Sequence, residues 1–339
     1  MLNRNTIYAI LIIFVGLLAR LVNITQPILE IAGWRQCYTA SIARNFYYNG
    51  MSIFYPQVSY GGNTAGYIGG AEFNLYPFTV ALLYKLFGVH ESLGRLVSII
   101  AFCGSAFFLY KLTRKYAGTT SGLIALLFYT FNPYIFFYSR AFQPESAMLF
   151  FSVAMLYFFS EWIDREGWWR FVLMTLCATL AFLTKLPTIC LGLPLLYLCL
   201  QKYKLYFLTQ WKLWFFATIS ILLTFLWYNH SNYIKTIDGS ISNNTLSFRY
   251  YVFEYSIYLA LKLSFYKKVF FSEVFEKDLI YAGGVLFIIG IIFTLKKKEF
   301  RYIHYWLLAI LIYFFLAAKE VVWHTYYTIP IIVPASVFI

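Results

Sequence analysis

The sequence predicts an all-α integral membrane protein, a polytopic helix bundle of about ten spans with two large outside loops that carry juxtamembrane helices. Three observations predict it. Of 339 residues, 61% are hydrophobic, 22% aromatic and only 12% charged, whereas a soluble domain is nearer one quarter charged. The apolar runs are continuous and approach the ~20 residues that cross a bilayer core, rather than alternating as barrel strands do. The net charge of +13 is distributed in small clusters between those runs, which is how topology signals look; no basic stripe or binding motif points to nucleic acid.

In chain order, Arg4 precedes an apolar run over residues 6–22 and Arg20 lies at its end. No small-x-small cleavage site follows, so this is an uncleaved first span. A loop over 23–94 comes next. Inside it, Trp34, Tyr38, Ile42 and Phe46 recur every four residues, predicting a helix with one apolar stripe lying in the interface plane. Residues 75–87 are apolar but too short to cross, and read as an interfacial or re-entrant helix. Gly61, Gly62, Gly66, Gly69 and Gly70 read as a loop; no Gly-Lys-Ser/Thr follows them, so it is not a phosphate-binding P-loop.

Further spans are predicted over 96–112, 120–138, 147–162, 171–184, 188–200, 213–228, 279–295 and 302–318. A tenth starts after residue 327, and the chain stops inside it. The second long loop, 229–278, holds another interfacial helix near 250–265. Its acids Asp238, Glu254, Glu273, Glu276 and Asp278 read as solvated loop charges. The whole is one membrane domain, 1–339.

With the N-terminus in the cytoplasm, the inside loops collect thirteen basic residues and the short outside turns three, Arg140, Lys185 and Lys319. Positive charge favours the inside. Counting 75–87 as a span would put the cluster 296–301 outside, which is why it is demoted. This topology places Glu30, Arg35, Glu72, Arg140, Glu145, Lys185, His324 and Tyr327 on one, non-cytoplasmic face.

That convergence defines the candidate chemistry. Glu30, Glu72 and Glu145 are candidate catalytic acids or bases, because a partly desolvated carboxylate can take a proton near neutral pH; each is equally suited to tying loops together through Arg35, Arg44 or Arg140. Arg35, Gln36, Arg44, Arg140, Lys185, His324 and Tyr327 are candidates for binding a phosphate or substrate, Arg as a planar fork and Lys as a point charge. Lys185 also fits a side chain snorkelling at a helix end. The five cysteines form no CxxC pair, and no His/Cys/Asp cluster has metal-ligand spacing.

These motifs carry a resemblance. Trp34-Arg35-Gln36 with Thr39-Ala40-Ser41-Ile42-Ala43-Arg44-Asn45-Phe46, then Glu72-Phe73-Asn74-Leu75-Tyr76-Pro77, Ser139-Arg140 with Pro144-Glu145, Thr184-Lys185, and His324-Thr325-Tyr326-Tyr327 resemble bacterial membrane glycosyltransferases of the C-type fold, in the protein mannosyltransferase and aminoarabinose transferase group (glycosyltransferase family 39-like). The resemblance implies 11 to 13 helices, hence more chain than is present here. It implies transfer of a sugar from a polyprenyl-phosphate donor to a protein, glycolipid or polysaccharide acceptor on the periplasmic or extracellular side of the inner or plasma membrane. It also implies an acceptor-activating carboxylate in the first outside loop, best matched by Glu30 with Glu72 as the alternative, and a second acid at Glu145. The family more often has Asp at the first of these, and His where this chain has Ala32. No motif demands a cofactor; a divalent cation stays open. The partners implied are the lipid-linked donor, membrane lipid and an acceptor of unspecified kind, with no nucleic acid. The rival reading is a transporter or flippase of lipid-linked sugars, but no internal repeat or mid-span charge supports it.

Overall fold

The computed structural model describes residues 4–59, 65–237, 241–242 and 256–339. Asp238 and Glu254, and Gly61 and Gly62 of the glycine-rich stretch, lie outside the described residues. The chain is a helical bundle with a small three-stranded sheet in its loops.

Helix α1 (Arg4–Leu21) leads into α2 (Gly33–Asn49), a hairpin of β1 (Gln57–Ser59) and β2 (Ala65–Gly69), and α3 (Leu75–Phe87). Then follow α4 (Glu91–Ala117), α5 (Thr119–Phe131), α6 (Pro133–Tyr138), α7 (Glu145–Asp164), α8 (Trp168–Thr184), a 3-10 turn Leu186–Leu191, α9 (Gly192–Tyr203) and α10 (Trp211–Ile234). The short strand β3 (Ile241–Ser242) pairs in parallel with β2. The chain closes with α11 (Ser256–Ala260), α12 (Leu263–Tyr266) continued by a wider π-helical stretch Lys267–Asp278, α13 (Ala282–Thr294), α14 (Arg301–Leu316), α15 (Ala318–Trp323) and α16 (Ile332–Phe338).

Among the described residues six helices are long and apolar enough to cross a membrane, or seven if the bent pair Leu263–Asp278 and Ala282–Thr294 is one span. This is fewer than the ten predicted. Local chemistry accounts for two of the differences. The apolar run 120–138 is not one helix: Pro133 cannot donate to the helix ladder, and the Asn132 side chain caps the new start by accepting from the Tyr134 and Ile135 amides at 3.0 Å. The run 279–295 is shortened at its front, where Ile280 and Tyr281 take positive φ of 54° and 32° and the chain turns by 109°.

Three further readings change. Glu273 and Asp278 are buried rather than solvated; Glu273 pairs with Lys277 at 2.9 Å, and the Asp278 carbonyl accepts from Asn132. Part of the glycine stretch is strand. Gly69 is required there, since a Cβ would lie 2.4 Å from the Lys235 side chain and 2.8 Å from the Ser231 carbonyl. The α2 stripe does not face lipid either: Ile42 and Phe46 are buried with Val58, Ile68 and Ala81, and Trp34 and Tyr38 face a cavity described below.

The main core lies among α4, α5, α7, α8, α14 and α16, with Phe102, Tyr129, Phe159, Trp306 and Phe314 at its centre. Exposed large apolar side chains line α10 and α13, as a lipid-facing surface requires. At one end of the bundle, Lys115 pairs with Glu161 (3.1 Å) and Asp164 (2.6 Å), and Lys212 with Glu166 (2.8 Å). The basic helix ends thus gather together, and the residues of the candidate site gather at the other.

Candidate active site

The segment between α1 and α4 is pinned from both sides. Residues 70–73 cross the ends of α8 and α10. The Gly70 amide donates to the Ser231 carbonyl (2.9 Å), the Ala71 amide to the Ser231 hydroxyl (3.0 Å), and the Phe73 amide to the Leu183 carbonyl (3.0 Å). The Trp227 indole N–H donates to the Ala71 carbonyl (3.1 Å). Glu72 is fixed in the middle of this clamp. At the start of α2, Ala32 sits in the left-handed backbone region at φ 56°, so the residues before and after it head in different directions.

The result is a cavity of about 490 Å³, within the range of small-molecule sites. It is lined by Trp34, Arg35 and Tyr38 of α2, by Glu72, by Lys185 after α8, by Tyr228 of α10, and by Lys319, Glu320, His324, Tyr326 and Tyr327. Arg35 and Glu72 form an ion pair on its wall. The Arg35 Nε is buried with no hydrogen-bond partner among the described residues. Burial opposes the charge on this guanidinium, but Glu72 and Glu145 outweigh it and hold its pKa above the ordinary value.

Lys185 emerges where Pro187 stops α8 from continuing. Its Nζ lies 3.0 Å from Glu145 Oε1 and 3.6 Å above the Tyr327 ring, a cation–π placement. Glu145 begins α7, where the helix dipole favours a carboxylate; it is almost fully buried, and its Oε2 has no partner. Its neighbour Pro144, but not Glu145 itself, is among the cavity-lining residues. His324 ends α15, stacks on Tyr326 (5.3 Å), meets Trp34 (5.4 Å), and lies 3.4 Å from Glu320. Burial, together with Arg35 and Lys185, pushes the His324 pKa down. Burial pushes the Glu320 carboxyl up, partly offset by Lys319 and Lys185.

The structure therefore brings Arg35, Glu72, Lys185, His324 and Tyr327 to one cavity, with Glu145 directly behind Lys185. It places the other candidates elsewhere. Glu30 pairs at 3.0 Å with the fully buried Arg95, which also donates to the carbonyls of Ile24, Gln26 and Pro27. Gln36 is buried and ties α2 to the bundle: its Oε1 accepts from the Phe142 amide (2.9 Å) and its Nε2 donates to the Ile31 carbonyl (3.3 Å). Arg140 donates to the Asn23 carbonyl (3.2 Å). Arg44 is exposed and does not line the cavity. Glu320 was missed; its signal in the sequence is the one-turn spacing to His324. Among the described residues no group of three or more His, Cys, Asp or Glu side chains is placed to hold a metal ion.

Comparison with known proteins bears on the fold. Residues 74–228 match the family of dolichyl-phosphate-mannose-protein mannosyltransferase. An uncharacterized protein of Aquifex aeolicus (strain VF5) is 32% identical over 148 residues, covering 44% of this chain and 33% of that protein. ArnT from Cupriavidus metallidurans bound to undecaprenyl phosphate superposes with a TM-score of 0.66 at 15% identity, over 98% of this chain and 59% of ArnT. The Archaeoglobus fulgidus oligosaccharyltransferase in complex with Zn and sulfate superposes with a TM-score of 0.59 at 12% identity, over 98% of this chain and 48% of that one. The chain thus spans about three fifths of the length of ArnT and a third of the Aquifex protein.

Proposed function

We propose that this chain, which has the C-type fold of membrane glycosyltransferases and resembles the protein mannosyltransferase group, transfers a sugar from a polyprenyl-phosphate donor to an acceptor at the non-cytoplasmic face. One observation carries the reading: Arg35 and Lys185, from distant parts of the sequence, converge on a cavity that also holds carboxylates. A phosphate leaving group needs such cations, which stabilise charge as it develops. Acceptor activation needs the carboxylates. A lipid-borne donor fits a cavity at the end of an apolar bundle. The undecaprenyl phosphate bound by ArnT supports a polyprenyl phosphate as the lipid.

Arg35 and Lys185 take the donor phosphate. Tyr327 and Tyr326 form the aromatic wall on which Lys185 rests, and His324 stacks on Tyr326. Glu145 orients Lys185 through their ion pair. Gln36, Arg140, and Glu30 through Arg95, fix the loop that carries Arg35.

The test is transfer by purified protein in detergent, offered a panel of undecaprenyl-phosphate monosaccharides, with label followed into lipid, peptide and polysaccharide acceptors. Label should move from the donor in the absence of any sealed compartment. A protein that moves the donor only across intact vesicles, and never cleaves it, is a flippase instead.

A further inference from the structure

Among the described residues, the three candidate carboxylates and Glu320 differ in the kind of partner they have. Glu30 is held by Arg95, Glu72 by Arg35, and Glu145 by Lys185. Each thus has an oxygen engaged by an arginine or lysine in contact. Glu320 is different. Among the described residues its one ion-pair partner is His324, at 3.4 Å. That imidazole is held toward its neutral form by burial and by Arg35 and Lys185. About 30% of the Glu320 side chain is open, and it opens on the cavity.

We propose that Glu320 is the catalytic base of the transfer reaction, a role that rests on the functional reading above. A hydroxyl of the acceptor gives its proton to the Glu320 carboxylate as its oxygen forms a bond to the anomeric carbon. The bond from that carbon to the phosphate oxygen breaks, and its electron pair leaves with the polyprenyl phosphate, whose added charge faces Arg35 and Lys185. His324, one helical turn on, orients the carboxylate through their contact.

Among the described residues, the charged and titratable groups facing Glu320 are Lys319, His324, Tyr326 and Tyr327 on its own segment, Tyr313 of α14, Arg35 of α2, Glu72 of the clamp and Lys185 after α8. The two carboxylates in this set, Glu320 and Glu72, line the same wall, yet only Glu72 spends its charge on an arginine. Burial raises the Glu320 carboxyl, which moves a base toward the operating pH where general-base catalysis is most effective.

Two measurements on the full chain in detergent decide the assignment. The first is binding of undecaprenyl phosphate itself. Glu320→Gln removes a negative charge from the phosphate's cavity, and should tighten binding at neutral pH by about three- to tenfold, the scale of one like-charge interaction across a wet cavity. The second is transfer from undecaprenyl-phosphate monosaccharides. Glu320→Gln should lower kcat by roughly 10²–10⁴ with the donor KM little changed, and should abolish the acid limb of the pH–rate profile. Glu320→Asp keeps a carboxylate and should retain that limb, which separates lost chemistry from lost folding.

If undecaprenyl phosphate does not bind the wild-type protein, the functional reading falls and this assignment with it. If it binds, and Glu320→Gln alters neither its affinity nor the acid limb, the assignment alone is overturned. It is overturned likewise if Glu72→Gln, and not Glu320→Gln, removes the limb.

Discussion

Two arginine–glutamate pairs organise the segment between α1 and α4, and they use the same chemistry to opposite ends. Arg95 is fully buried and divides its donors among Glu30 and the carbonyls of Ile24, Gln26 and Pro27. Its guanidinium is enclosed by the fold. Arg35 pairs with Glu72 on the wall of the cavity. Its guanidinium borders space that a substrate could enter. An ion pair near a site is thus no sign of function in itself; what matters is whether the cation faces a cavity or is enclosed by the chain.

The comparison is broken most directly at Arg95. Arg95→Ala strands Glu30 and three carbonyls, and should destabilise the protein by about 3–5 kcal/mol, the usual result of removing one partner of a buried pair. Thermal unfolding in detergent measures this; an unchanged melting temperature would show that the pair is not structural. Lys185 and Glu145 sharpen the contrast, because that pair is buried like the first and reaches the cavity like the second. Lys185→Ala should cost both stability, on the order of 3 kcal/mol, and undecaprenyl phosphate binding. The double change Lys185→Met with Glu145→Leu replaces the pair with apolar volume and should recover stability without recovering binding.

A smaller effect is expected at Arg35. Arg35→Lys keeps a charge but loses the planar fork, so undecaprenyl phosphate affinity should fall roughly tenfold or more, as for one charge-assisted hydrogen bond, while the melting temperature stays near wild type. Glu30→Gln belongs with the structural pair and should leave the donor KM unmoved; a loss of turnover without loss of stability would return Glu30 to the chemistry. The smallest effect is a slope. Because the Glu320 carboxyl is raised in the folded state, its favourable contribution is complete below the ordinary carboxylate pKa and is lost as pH rises through the raised value. His324 is depressed, so its contribution is present above the ordinary histidine pKa and lost as pH falls through the lowered one. The melting temperature of Glu320→Gln should therefore decline less between mildly acidic and neutral pH than that of the wild type.

Much of this was legible in the sequence, for reasons that differ by residue. The membrane bundle follows from continuous apolar runs, which no other environment tolerates. Arg35, Glu72, Lys185 and His324 stood out because charge at the end of an apolar run is costly and needs a reason. Glu30 and Glu72 were both candidates in the sequence, and nothing there reveals that Arg95, near the start of α4, would claim the first. Asp278 and Glu273 looked solvated because burial depends on how the 109° turn at Ile280 folds the chain back. Glu320 was hidden in a segment that also reads as an aromatic belt at the membrane surface.

The clamp on residues 70–73 has a consequence for biosynthesis. Leu183 of α8 supplies one partner, but Ser231 and Trp227 supply the rest, so the loop that carries Glu72 is not fully fastened until α10 has left the ribosome and entered the bilayer. Nascent chains arrested before Ser231 should show that loop open to added protease, and chains arrested well past it should not. Glu320 and His324 arrive later still. The growing polypeptide therefore carries its first-made charged loop through most of synthesis without the wall it will face, and the site closes only when α15 emerges.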